Sequence, residues 1–196
     1  GRLSIEQQWP EAVACLQEAV TIDNRHAGSH FQLATALLAD KKYSAALTHY
    51  QRAREEDVCP LRCLASQVAS VREVARLESV PLVDFERLLT EKCRQENGHE
   101  IPGNGFFLDH VHPTIESHRL LAEQIIQRME SDGWWHPEAR WNEAHRDQVA
   151  QQLLGSINRA DHARARRNLA KVLNWSGKHM EAGILAVSVL EELPGD

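Results

Sequence analysis

The sequence predicts a mainly α chain in which paired helices recur at a fixed spacing and flank a small α/β segment. Three observations predict it. Apolar and small residues recur three and four apart over much of the length, the spacing of one helix face. That pattern repeats at an interval of 34 residues. Between the copies, residues 61–132 lose the period and carry a short apolar run, a Gly- and Asn-rich loop and an Asp-His pair.

The clearest copy is AGSHFQLATALLADKKYSAALTHYQRAREEDVCP, residues 27–60. Leu33, Ala34 and Leu37 make one face of a first helix, and Tyr43, Ala46, Leu47, Tyr50 and Ala53 make one face of a second. Lys41 and Lys42 occupy the turn. Thirty-four positions upstream, Trp9, Ala12, Val13, Leu16 and Ala19 match the second helix one for one, and Asp23 matches Asp57. The alanines have a physical purpose: two helices approach closely only where side chains are small, and a neighbouring large ring fills the remaining volume. A third copy closes the chain. There Leu169 and Ala170 take the places of Leu33 and Ala34, and Gly177 sits in the turn. His179, Ala182, Ala186 and Val189 stand for Tyr43, Ala46, Tyr50 and Ala53, and Pro194 ends the helix. This arrangement resembles the tetratricopeptide repeat family over residues 1–60 (one and a half repeats) and 163–196. His30 stands where that family favours Trp, and His179 where it favours Tyr. The resemblance implies a helical scaffold with a protein or peptide partner on its surface. Short runs of such repeats are seldom stable alone, so these are expected to pack against something else.

Composition narrows the remaining possibilities. The chain has 196 residues, 42% hydrophobic and 26% charged, enough apolar content for a packed core. A net charge of −6 argues against a nucleic-acid partner. The basic cluster Arg164, Arg166, Arg167 and Lys171 lies on an expected helix and reads as a solvated face. No apolar run is long enough to span a membrane, and GRLSIEQQWP has no apolar leader segment. The chain opens inside a helical pattern without an initiator Met, which reads as a piece of a longer protein. Cys15, Cys59, Cys63 and Cys93 form no CxxC pair, and Cys59 and Cys63, four apart across Pro60, are expected to be ordinary buried thiols. No cofactor is called for.

Residues 61–132 have a different grammar. LRCLASQVASVREVARLESV reads as a helix, with Leu64, Val68, Val71, Val74, Ala75 and Leu77 on or near one side. VPLVDF reads as a short strand at Pro81–Asp84, FERLLTEKCRQ as a helix, and NGHEIPGNG as a loop. After FFLDHVHP, Thr114 can cap a helix running through Leu121, Ile125 and Met129. Helix–strand–helix–loop–helix is the order of an α/β layer. Residues 133–162 read as a connecting helix, whose Trp134, Trp135 and Trp141 are expected to pack between the two halves.

The chemistry is concentrated in Asp109 and His112. A carboxylate three residues from an imidazole can accept a hydrogen bond from one ring nitrogen, fixing the tautomer and freeing the other nitrogen to take a proton from a hydroxyl. Pro113 and the helix start stiffen the loop, as a preorganised base requires. The segment FLDHVHPTIESHRLLAEQI, with VPLVDFERLL before it, resembles the closing block of SGNH/GDSL hydrolases, in which Asp-x-x-His precedes the last helix of a flavodoxin-like sandwich. The resemblance implies His112 as general base, Asp109 as its orienting carboxylate, and an ester or acylated substrate. It also implies a Ser nucleophile and oxyanion donors. No Gly-Asp-Ser occurs here, so that Ser is expected outside this sequence. Ser29 and Ser156 follow glycines but sit in or beside helical patterns, and Asn104 reads as turn chemistry. The family usually has Gly where Ser117 stands, which is expected to alter the turn into the helix. Two other readings stay open: a repeat scaffold in which Asp109 and His112 do no chemistry, and a metal site of Asp109, His110, His112 and His118. The spacing of His110 and His112 sets them on opposite sides of an extended chain, against a shared metal.

Overall fold

The structure is a computed structural model, and it describes residues 9–109, 111–138, 141–175 and 177–192. Among these residues it is mainly helical, with no β-strand. The chain divides into two compact units, Gly1–His136 and Pro137–Asp196.

The first unit opens with three helices, α1 (Trp9–Ile22), α2 (Ala27–Ala39) and α3 (Tyr43–Glu55). α2 packs on both neighbours. Val13, Leu33, Ala36, Leu37 and Ala46 form a common core, with Trp9, Leu16 and Val20 packed around it. The small residues do what close helix approach demands: Ala34 and Ala46 have no exposed surface. α2 starts on an unusual cap, the His26 ring nitrogen Nδ1 accepting the Ser29 N–H at 3.0 Å.

The second unit repeats the hairpin in α8 (Arg159–Trp175) and α9 (His179–Glu192), which pack on each other through Ala163, Ala170, Ala182 and Val189. The turns of the two hairpins are the same structure. In the first, Lys42 N–H donates to Leu37 O at 2.8 Å and Lys41 N–H to Leu38 O at 3.0 Å. In the second, Lys178 N–H donates to Leu173 O at 2.9 Å and Gly177 N–H to Asn174 O at 3.2 Å. This closure needs a left-handed residue past the helix end. Gly177 adopts it at φ 83°, and Lys41 at φ 59° with a side chain attached. Pro194 lies outside the described residues. The basic face is only partly given to solvent, because Arg166 donates to the Ser188 hydroxyl at 2.6 Å. The connecting stretch is helical over α7 (Glu143–Ser156), whereas residues 133–138 are not helical. Within the second unit Trp141 meets His145 edge-on, at 5.5 Å between ring centroids.

Between the hairpins lie α4 (Ala65–Leu77), α5 (Phe85–Asn97) and α6 (Ile115–Ser131). α5 is capped by the Asp84 carboxylate, which accepts the Arg87 N–H at 3.0 Å, and it ends on left-handed Gly98. A second core of Leu89, Cys93 and Phe106 gathers Phe85, Phe107 and Leu120. Tyr43 tilts against His99 at 5.0 Å, and Ile101 enters the core of the first three helices, so α3 is a wall shared by the repeat layer and the site-bearing segment.

Two expectations are corrected here. Pro81–Asp84 is not a strand. The Val80 N–H turns back to Ala75 O at 2.9 Å to close α4, Pro81 has no N–H, and no second strand lies alongside among the described residues. The α4 stripe is apolar as expected, yet no residue of α4 is buried, and Val71, Val74 and Leu77 are exposed. Cys59 and Cys63 are likewise exposed, because residues 57–63 form a surface connection, while Cys93 is buried.

Candidate functional site

The loop between α5 and α6 is built by its own backbone. Phe106 and Phe107 N–H both reach Gly103 O, at 2.9 and 3.1 Å, making the turn in which Asn104 sits. Phe107 and Pro113 then form an isolated antiparallel bridge. Leu108 N–H donates to His112 O at 2.8 Å, and Thr114 N–H to Phe106 O at 2.9 Å. Residues 108–112 are thereby closed into a short excursion. Thr114 begins α6, its hydroxyl oxygen accepting the Ser117 N–H at 3.2 Å. Ser117 does not disturb this start: it is buried, with its hydroxyl 3.1 Å from that of Thr114.

Asp109 organises the excursion from inside. Its Oδ1 accepts the backbone N–H of Val111 and of His112, both at 2.8 Å, and its Oδ2 accepts from His112 Nδ1 at 2.7 Å. One carboxylate thus holds both the loop and the ring. Burial pushes the Asp109 carboxyl up, but the hydrogen bonds from Val111, from the His112 backbone and from the His112 ring outweigh it and hold it at about 2. The anion is therefore secure at neutral pH. The His112 side chain is 72% exposed and that of Asp109 21%. With Nδ1–H committed to the carboxylate, the neutral ring carries its free lone pair on Nε2, the atom a base needs.

The other candidates fall into structural roles. His110 lies outside the described residues. His118 Nδ1 sits 3.0 Å from Thr114 O, one helical turn back. Among the described residues no three His, Cys, Asp or Glu side chains gather as a metal site. Ser29 Oγ is 2.8 Å from His26 Nδ1, but that nitrogen already receives the Ser29 N–H, so the contact is a helix cap. The Ser156 hydroxyl donates to Leu153 O at 2.7 Å. Cys93 Sγ lies 3.5 Å from His99 Nδ1, with Asn97 Nδ2 also at 3.5 Å. Full burial of Cys93 keeps its thiol from any substrate.

Arg62 escapes sequence reasoning altogether. Its guanidinium lies over the Phe107 ring, 4.5 Å from the centroid, and Asp109 acts on its charge. It comes from an irregular connection forty-five residues before Phe107, and no spacing rule ties the two together.

The chain matches no family model, no curated protein and no solved structure.

Proposed function

We propose that this chain is the C-terminal portion of an SGNH-like ester hydrolase or acyl transferase bearing tetratricopeptide repeats, with its Ser nucleophile outside this sequence. In this reading His112 Nε2 takes the proton of the serine hydroxyl. Asp109 sets the tautomer and stabilises the imidazolium that forms. The observation that carries it is the 2.7 Å contact between Asp109 Oδ2 and His112 Nδ1, made by a carboxylate whose other oxygen fixes the loop.

The test is hydrolysis of a short-chain aryl ester by this chain and by the longer protein that carries the serine. This chain alone gives a rate near that of buffer, because it lacks the nucleophile and the oxyanion donors, and losing even one such donor costs about 100- to 1000-fold. In the longer protein His112→Ala removes nearly all turnover. Asp109→Asn is a lesser but large loss, on the order of 1,000- to 10,000-fold, through the wrong tautomer. Robust hydrolysis by the chain alone defeats the missing-nucleophile argument.

A second reading, a protein-interaction scaffold without catalysis, draws on the second unit. There Val172 and Trp175 of α8 and Met180, Ile184 and Val187 of α9 are exposed, more apolar surface than one hairpin needs. Activity in the longer protein that ignores His112→Ala favours this reading.

A further inference from the structure

We infer that Arg62 is a positioning residue for the Asp109–His112 pair, clamping the loop from outside through the Phe107 ring. The inference rests on reading that pair as the working site.

Three observations carry it. The first is where the guanidinium sits. Phe107 is the residue at which the loop is pinned, bridged to Pro113 and joined to the Leu89–Cys93–Phe106 core. Arg62 covers the face of that ring, 4.5 Å from its centroid. A cation over an aromatic face is held by the ring quadrupole, and a planar guanidinium also stacks on it.

The second is electrostatic. Burial lowers the Arg62 pKa and the charge of Arg54 lowers it further, while Asp109 raises it. Arg62 lies at the surface and keeps its charge, and Asp109 is the one favourable charge among those acting on it. Arg54 is occupied elsewhere, by Glu55 at 3.1 Å and by Glu86 at 3.4 Å.

The third is connectivity. Arg62 lies between the end of α3 and the start of α4, where Glu55 Oε1 accepts the Ala65 N–H at 2.9 Å. This bond closes the segment bearing Arg62 back onto the end of α3, so its contact with Phe107 links the loop to the first hairpin.

The experiment uses this chain and the ring N–H signals of its histidines by proton–nitrogen NMR. The readout is the exchange with water of the His112 Nδ1–H that Asp109 accepts. Arg62→Gln speeds that exchange about 3- to 5-fold, the factor expected from a cation–aromatic contact at the surface. Phe107→Leu, with Arg62 intact, does the same. Arg62→Lys keeps the charge but loses the planar stack and falls between wild type and Arg62→Gln. The His30 Nε2–H, bonded to Asn24 O within the repeat hairpin, is unchanged throughout and excludes a general loosening. Should Arg62→Gln not fold, the lysine and leucine variants carry the comparison. Exchange of His112 within about twofold of wild type in all folded variants overturns the role of Arg62 and leaves the proposed function standing. A wild-type His112 protonated only on Nε2 overturns both.

Discussion

His30 and His49 share a single hydrogen bond, their Nδ1 atoms 2.9 Å apart and their rings stacked at 5.1 Å across the α2–α3 hairpin. His30 Nε2 lies 2.9 Å from Asn24 O, an acceptor only, so that nitrogen carries a proton. Neutral His30 then has a bare Nδ1, and His49 Nδ1–H is the donor.

This pair makes the hairpin sensitive to acid. Burial lowers the His49 pKa, and the charge of His30 lowers it further. A histidine whose folded pKa lies below its unfolded value contributes stability above the unfolded pKa, near 6.5, and loses it as pH falls from there toward the folded pKa. Unfolding of wild type and His49→Gln at pH 7.5 and 5 checks this. Gln can donate to His30 without titrating, so the variant loses less stability on acidification than the wild type.

The paired turns give a stabilising substitution. Lys41 at φ 59° bears a side chain in the conformation that Gly177 adopts without one. Left-handed backbone costs an L residue about 1–2 kcal/mol, against roughly 0.5–1 kcal/mol of extra chain entropy lost by Gly. Lys41→Gly raises stability by up to about 1 kcal/mol, and Gly177→Ala lowers it by about the same amount. Urea denaturation of both variants reads the opposite signs.

Ala46 sits in the core with Val13, Leu33 and Leu37 and has no exposed surface. Ala46→Leu overpacks the hairpin and costs about 1–3 kcal/mol. Ala45→Leu, one residue away on the exposed side, costs less than about 0.5 kcal/mol. Equal losses for the two would contradict the packing.

Asp109→Asn separates the two jobs of the carboxylate. The amide oxygen of the variant can still accept from the Val111 and His112 backbone, but its amide nitrogen then faces His112 Nδ1 and donates to it. The ring proton moves to Nε2, read from the ring nitrogen shifts of His112. Acid titration gives a second check. The Asp109 pKa of about 2 lies below the ordinary carboxylate value, so its stabilisation is full above about pH 4 and fades as pH falls through 2. The Asp109→Asn variant lacks that dependence.

The hairpins were legible because their determinants are local and periodic. Ala12, Ala46 and Ala182 recur at spacings set by helix contact, and Lys41 and Gly177 mark the same turn. Asp109 and His112 were legible for a similar reason, since three residues of separation are enough to set the contact. What the sequence hid is non-local. VPLVDF has a strand's composition, but pairing depends on a neighbour that no composition supplies. Leu77 and Val74 have a buried helix's spacing, yet a stripe states only what a helix can cover. Arg62 meets Phe107 through a connection with no regular period. His30 conceals its partner in the same way: only the folded hairpin brings His49 to it.

α4 is fastened to the unit by charge. Glu55 receives its first N–H, and Arg72 reaches Asp84 at 2.7 Å and Glu86 at 3.0 Å, while no side chain of the helix is buried. Such a helix contributes little to the cooperative barrier and opens as a separate folding unit, well below the energy of global unfolding. Its fastenings are exposed ion pairs, which salt screens. Ionic strength therefore acts on this chain unevenly: amides of α4 exchange faster as salt is added, while those of α2, locked around Leu33 and Leu37, wait for the whole unit to unfold.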